Sequence, residues 1–233
     1  MIRSLYTINR NLNVIQKKQE NTSSNIVNAN TPGYKFQGVL QSTMESREMI
    51  NYTGGVNKNL RNPLGQFVFG NQVDDYYRNF STGAFYETGN NTDFAINGDG
   101  FFTVELNDGQ RAYTRNGNFI INENGELTTI EGYRIIGTNG YINVNDENYN
   151  FLISNIDDYN TLISIGDSLF TTQSPTNTIE ADIKRGYLES SNVNMVDEMV
   201  KLIEITREFE TNQKLMHAAD ETLSKAVNEI GKV

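Results

Sequence analysis

The chain has 233 residues, of which 37% are hydrophobic, with a formal net charge of −10, no cysteine and one histidine. The absence of cysteine excludes disulfides and thiolate chemistry, and the single His217 leaves little room for a zinc site or a histidine-dependent triad. The acidic balance argues against nucleic-acid binding, which depends on clustered Lys and Arg. We therefore expect no catalytic residue, no metal and no cofactor, and a structural or interaction protein rather than an enzyme.

The N-terminal residues have the heptad spacing of a coiled-coil helix, while the polar residues between the seams, Asn11 among them, are predicted to face solvent. Pro32 disfavours helix at Thr31, so the helix should end near Asn28, and Pro32-Gly33 suits a type II turn. Two seams offset by three residues define the predicted stripe: Leu5, Leu12, Gln19 and Ile26, and Ile8, Ile15, Thr22 and Ala29.

Polar residues interrupt the apolar ones throughout the first ten positions. This segment therefore does not have the pattern of a cleaved signal peptide, and the chain contains no apolar run of transmembrane length. We expect no membrane insertion. A cytoplasmic protein and a protein exported with an uncleaved N-terminus both stay open at this point.

Between the helices, the sequence changes to short apolar runs separated by turn signals such as Asp108-Gly109, Asn124-Gly125 and Asn139-Gly140. Asn-Gly and Asp-Gly between β-branched or aromatic runs indicate hairpins. We predict a meandering antiparallel β domain over residues 71–189, with a hairpin at Asn97-Gly98-Asp99-Gly100. Residues 35–70, which include Gly54-Gly55 and Pro63-Leu64-Gly65, are expected to form an extended connection.

The C-terminal residues repeat the heptad pattern more strongly, and Asn194 is suited to cap the start of a helix. A helix of this length would reach about 55 Å at 1.5 Å per residue, and its narrow apolar stripe needs a partner helix. Exact intervals of seven join Met195, Leu202, Phe209, Met216, Leu223 and Ile230, and a second seam contains Ile205, Ala219 and Ala226 with Asn212 interrupting it.

The predicted fold class is therefore α+β. An antiparallel β domain is flanked by N- and C-terminal coiled-coil helices, residues 1–34 and 190–233, which pair with each other and with neighbouring subunits. These helices would form an inner core and carry the β domain outside it.

Three blocks of sequence, one in each zone, resemble the axial rod and hook proteins of the bacterial flagellum, and in particular the flagellar basal-body rod protein family. They occur in the order in which the family has them. The blocks are Ser24 to Lys35 with its Asn-Thr-Pro-Gly-Tyr-Lys ending, Asp93 to Phe102 together with Ala112 to Phe119, and Gly186 to Asn194.

The resemblance implies a non-enzymatic subunit of the basal-body rod, exported through the flagellar type III apparatus without signal cleavage. It would polymerise into the drive shaft that transmits torque to the hook. Its implied partners are other copies of itself, adjacent rod and hook proteins, and the export apparatus. The distal part of the rod is favoured, with a proximal-rod or hook-type paralogue as the alternative. A secreted β-rich adhesin or fibre module is a remoter alternative.

Three sets of residues are predicted to carry this function. The assembly helices would use Leu5, Ile8, Leu12, Ile15, Ile26, Met195, Leu202, Phe209, Met216, Leu223 and Ile230. The resemblance identifies a rod signature at Asn30, Thr31, Pro32, Gly33, Tyr34 and Lys35. It also identifies a β-domain motif at Ile96, Asn97, Gly98, Gly100, Phe101 and Phe102.

Overall fold

The structure is a computed structural model that describes residues 2–53, 60–144 and 149–230, so Gly54 and Gly55 lie outside the described residues. The helices α1 and α2 span Ile2–Val27 and Met195–Lys225. A short 3-10 turn at Asn28–Asn30 follows α1, a second lies at Tyr159–Thr161, and a π-helical segment at Ala226–Ile230 follows α2.

The described residues also form eighteen strands. In chain order they are β1 Gln37–Thr43, β2 Arg47–Thr53, β3 Leu60–Phe67, β4 Asn71–Arg78, β5 Phe85–Glu87, β6 Phe94–Asn97, β7 Phe101–Glu105, β8 Arg111–Thr114, β9 Ile120–Ile121, β10 Leu127–Thr128, β11 Arg134–Gly137, β12 Gly140–Tyr141, β13 Ile153–Asn155, β14 Ile163–Gly166, β15 Leu169–Thr171, β16 Asn177–Ile179, β17 Asp182–Arg185 and β18 Tyr187–Glu189.

The chain divides into two compact units. The first comprises Met1–Ser24, Gly38–Tyr77 and Val196–Val233, and the second comprises Asn25–Gln37 and Arg78–Met195.

The first unit contains both terminal helices, which pack together as the heptads predicted. One polar contact between them joins Asn11 Nδ2 to Asn212 Oδ1 at 3.1 Å. The same unit contains two separate two-stranded sheets, β1 with β4 and β2 with β3. Residues 35–70, expected to be an extended connection, thus include the strands β1, β2 and β3. Within the described residues, neither helix is long and apolar enough to cross a membrane.

The second unit is built on an antiparallel sheet of ten described strands, which follows the order β14-β15-β8-β7-β11-β10-β9. Strand β12 pairs with β11, and β13 pairs with both β7 and β16. The predicted antiparallel character is confirmed. The strand order is not that of a simple meander, because β7 pairs with β11 and β8 pairs with β15.

Both faces of β7 are buried, and they belong to different cores. Phe102 packs with Phe94 and Phe119 in the larger cluster, whereas its neighbour Phe101 packs with Phe170 in the smaller one. Successive residues of a strand point to opposite faces, so a Phe-Phe pair serves two layers at once. This explains why the strand begins with two consecutive aromatic residues rather than with an alternating pattern.

The turn signals have two different outcomes. Asp108-Gly109 closes the β7–β8 hairpin and Asn124-Gly125 closes the β9–β10 hairpin, as predicted. The hairpin predicted at Asn97-Gly98-Asp99-Gly100 is wrong, because β6 pairs with β17 while β7 pairs with β8. These four residues form a turn between strands of different sheets, and the carbonyl of Gly98 accepts a hydrogen bond from Arg115 instead of a ladder partner.

Candidate functional site

The rod signature forms the turn that its Pro-Gly pair predicted. The Tyr34 amide donates to the Thr31 carbonyl at 3.3 Å, and Gly33 has a φ of +68°. A type II turn requires a positive φ at its third position, which glycine adopts at little cost. The Gly33 amide donates to the Glu189 carbonyl at 2.8 Å, so the turn is bonded to strand β18.

Lys35, the last residue of the signature, is buried within the second unit and contacts Glu189. Its Nζ lies 2.6 Å from Glu189 Oε1, and both side chains are 1% exposed. The same ammonium donates to the Ser81 carbonyl at 2.8 Å, and the Gly83 amide donates to Glu189 Oε1 at 2.8 Å. Two buried charges are therefore paired and also hydrogen-bonded to the backbone, as burial of an ion pair requires.

Arg115 completes the cluster from the turn after β8. Its Nη1 lies 3.4 Å from Glu189 Oε2, and its Nη2 donates to the Gly98 carbonyl at 2.7 Å. The guanidinium also lies over the Phe101 ring, 5.4 Å from the centroid. Arg115 Nε is buried without a hydrogen-bond partner among the described residues.

The three blocks that carry the family resemblance thus meet at one buried carboxylate. Lys35 comes from the N-terminal block, Arg115 from the central block and Glu189 from the C-terminal block. Two cations share one anion. Burial lowers the pKa of Lys35, the nearby Arg115 acts in the same direction, and Glu189 opposes both effects. The cluster therefore joins the segment that follows α1 to the segment that precedes α2.

Two asparagines extend this connection with backbone hydrogen bonds. Asn25, fully buried, donates to the Gln37 carbonyl at 2.8 Å and accepts from the Gln37 amide at 3.2 Å. Asn192 accepts from the Phe36 amide at 2.7 Å and donates to the Asn79 carbonyl at 2.8 Å. Each carboxamide replaces the ladder partner that this short extended segment would otherwise need.

The Asn25→Ala variant is expected to lose about 1–3 kcal/mol of the free energy of unfolding, because the Gln37 backbone groups and the Tyr34 hydroxyl lose a buried partner. Urea denaturation of the purified chain measures the loss. Asn13→Ala is the matched control, an exposed asparagine of the same helix, and should change stability by less than about 0.5 kcal/mol. Equal losses in the two variants would contradict the assignment.

The positions predicted to mediate assembly lie on protected stripes of the two helices. Between residues 195 and 228, the positions of α2 and its π-helical extension that are not exposed follow strict alternating intervals of three and four. They are Met195, Glu198, Leu202, Ile205, Phe209, Asn212, Met216, Ala219, Leu223 and Ala226. The side chain of Ile230 lies outside the described residues. On α1, the seam residues Leu5, Ile8, Leu12 and Ile26 are half-buried, and Ile15 is buried.

The other predicted residues divide between structure and surface. Gly33, Tyr34 and Lys35 are buried, whereas Thr31 and Pro32 are half-buried and Asn30 is exposed. In the β-domain motif, Ile96, Gly100, Phe101 and Phe102 are buried, and Asn97 and Gly98 are exposed. The motif contributes to the cluster through its backbone, because Arg115 donates to the carbonyls of Ile96 and Gly98.

Sequence reasoning did not single out Arg115, Glu189 or Asn25. Each lies within or beside a block that was recognised, but the individual residue was treated as part of a pattern. Arg115 and Glu189 could have been found from one signal, which is that Lys35, Arg115 and Glu189 supply charges of complementary sign from the three blocks. This signal does not extend to the uncharged Asn25.

Comparison with known proteins extends the likeness over nearly the whole chain. Residues 95–160 match the family model described as the flagellar hook protein FlgE/F/G D1 domain, and residues 184–229 match the flagellar basal body rod FlgEFG protein C-terminal model.

Curated relatives cover nearly the full length of both sequences. The flagellar basal-body rod protein FlgG of Buchnera aphidicola is 31% identical, with 97% of this chain and 98% of the relative aligned. FlgF of Caulobacter vibrioides is 32% identical over 97% and 94%, and FlgG of Bacillus subtilis is 30% identical over 98% and 99%.

Proposed function

This chain belongs to the family of flagellar basal-body rod proteins, and we propose that it assembles through its two terminal helices and forms the distal part of the rod. The chain is a structural subunit of the rod and is located in the flagellar basal body. The observation that carries the proposal is the extent of the likeness, which runs over 97% or more of the chain in relatives named as rod proteins.

Assembly uses the two terminal helices. The apolar seam residues of α2, such as Phe209 and Met216, stay half-buried in the single chain, so part of their surface is left for a neighbour to cover. Val196, Val200 and Ile203 on the same helix are each at least 50% exposed. Burying such a side chain fully contributes about 1.5–3 kcal/mol. Other copies of this chain, and the rod and hook proteins above and below, would supply the covering helices.

The distal part of the rod is the position we propose, with a proximal-rod or hook-type paralogue as the alternative. The chain would leave the cell through the flagellar export apparatus without cleavage, polymerise, and transmit torque towards the hook.

The proposed role is not catalytic. The cluster of Lys35, Arg115 and Glu189 contains the charged groups that a catalytic site would need. Their side chains are at most 3% exposed, so a substrate could not reach them. His217, the other candidate, is exposed on α2 away from the protected stripe. We accordingly propose neither a cofactor nor nucleic-acid binding.

Deleting the gene tests the function, with electron microscopy of isolated basal bodies as the measurement. If the chain is a distal subunit, basal bodies of the deletion strain should keep the proximal rod but lack the distal rod and the hook. The full chain should restore both, and a chain lacking residues 194–233 should restore neither, because it has lost the apolar stripe of α2.

His217→Ala, an exposed change on the same helix, is the matched control and should restore assembly fully. Complete hooks and filaments in the deletion strain would refute the rod role. Loss of the whole rod would instead support the proximal alternative.

A further inference from the structure

The heptad stripe of α2 contains a buried asparagine. Asn212 is 9% exposed and occupies the position between the apolar seam residues Phe209 and Met216. A buried carboxamide in an otherwise apolar seam weakens packing, and its best-attested benefit in coiled coils is to allow one helix pairing and disfavour others.

The carboxamide is part of a relay of three asparagines within the first unit. Asn212 Nδ2 donates to the Glu208 carbonyl at 2.8 Å, and its Oδ1 accepts from Asn11 Nδ2 at 3.1 Å. Asn11 Oδ1 in turn accepts from Asn71 Nδ2 of β4 at 3.2 Å. The relay thus joins α1, α2 and the β1–β4 sheet through side chains alone. Asn11 had been predicted to face solvent, and its bond to Asn212 corrects that prediction.

The apolar positions of the stripe between Ile205 and Ala226 do not specify a register. A heptad repeat looks the same after a shift of seven residues, which displaces one helix by about 10 Å along the other. Such a shift would place Asn11 against Ile205 or Ala219, and neither side chain can accept its hydrogen bond. Between Ile205 and Ala226 the apolar positions would still meet apolar positions, and Asn212 is the polar residue of this part of the stripe, so its bond to Asn11 distinguishes the correct pairing from the shifted one.

We propose that Asn212, held by Asn11 and Asn71, selects the register in which α1 and α2 pair. The proposal rests on the assembly function proposed above and deepens it, because a shifted pair would offer a misplaced apolar stripe to the neighbouring copy. Asn212 is a positioning residue in this view, and its contribution is selectivity rather than stability.

The chain suits a direct test, because it has no cysteine of its own. Asn11 contacts Asn212, and Gly33 is hydrogen-bonded to Glu189. The chain runs from Asn11 to Gly33 and from Glu189 to Asn212 over nearly the same number of residues. The two helices therefore run antiparallel. Cysteines at positions 8 and 216 then report the observed register. Cysteines at 8 and 223, or at 8 and 209, report a shift of one heptad in either direction.

Each pair is introduced into the full chain and equilibrated in dilute solution with a glutathione redox buffer, and intramolecular disulfides are quantified by gel mobility. With Asn212 present, only the 8/216 pair should cross-link efficiently. Adding Asn212→Leu should raise cross-linking of the shifted pairs at least about fivefold while the thermal midpoint stays the same or rises. A merely structural asparagine would lower the midpoint and leave the register unchanged.

Two further variants keep the proposal falsifiable. Ile205→Leu changes an apolar seam position by a similar volume and should leave the register as it is. If Asn212→Leu fails to fold, Asn11→Leu/Asn212→Leu removes both partners and leaves no unpaired carboxamide between the helices.

Shifted pairs that stay undetectable in these asparagine variants, or that rise equally in Ile205→Leu, would overturn the proposal. The rod function would stand in either case, because the cross-links are read on the purified chain and the basal bodies in the deletion strain.

Discussion

The Glu189→Ala variant is expected to lose about 3–5 kcal/mol of the free energy of unfolding. Removing this carboxylate leaves Lys35 and Arg115 buried with no anion between them, and neither cation can reach water without opening the cluster. The pKa of Lys35, already lowered by burial, should fall further once the opposing effect of Glu189 is gone. Urea denaturation followed by circular dichroism measures the change.

Two comparisons separate the loss of charge balance from ordinary truncation. Glu87→Ala removes an exposed carboxylate from β5, the strand paired with β18, and should cost less than about 0.5 kcal/mol. Lys35→Met leaves Glu189 paired with Arg115 in a neutral pair, so it should destabilise less than Glu189→Ala. If Lys35→Met proved the more damaging change, the cluster would not be governed by the shared carboxylate.

The Gly33→Ala variant is expected to destabilise the chain by more than about 3 kcal/mol, for two reasons that add. The φ of +68° is strained for any residue with a Cβ. A Cβ at this position would also lie 2.4 Å from the Arg115 carbonyl carbon and 2.4 Å from the Asn116 amide nitrogen, and backbone cannot move aside as a flexible side chain can. The relaxation would displace the turn that carries Arg115.

Gly89→Ala measures the first reason, the strained φ, by itself. Gly89 has nearly the same φ, +73°, but an added Cβ would meet nothing within 4 Å. Its cost should therefore be the conformational term alone, about 1–2 kcal/mol. The difference between the two variants, measured in the same denaturant series, is the cost of the close approach. A difference near zero would mean that the signature turn does not press against the Arg115 segment.

Local features of the sequence predicted the local structure well. The heptads of residues 1–34 and 190–233 anticipated α1 and α2, and the protected stripe of α2 follows the predicted seams. Periodicity succeeds here because a helix brings residues three and four apart onto one face wherever it is placed. Pro32-Gly33 anticipated its turn for a similar reason, since the required φ values are properties of those residues alone.

Predictions that depended on pairing at a distance were weaker. Asn97-Gly98-Asp99-Gly100 has the composition of a hairpin turn, yet β6 pairs with β17, more than eighty residues away in the chain. A turn signal reports backbone conformation over a few residues and cannot report which strands lie next to each other. Asn11 was assigned to the solvated face for the same reason, because a single-helix pattern does not show that Asn212 and Asn71 approach it.

Two long heptad helices, one before and one after an antiparallel β domain along the chain, could be inferred from residue order alone, as could the three blocks that resemble flagellar rod proteins. Those properties follow from residue spacing and backbone preference, which act over a few neighbours. The folded chain was needed to show that the three blocks meet at Glu189 and that Asn11, Asn71 and Asn212 form one relay. Both arrangements join residues that are far apart in the chain, and each is stable because the buried polar groups satisfy one another's charges and hydrogen bonds, which no local pattern records.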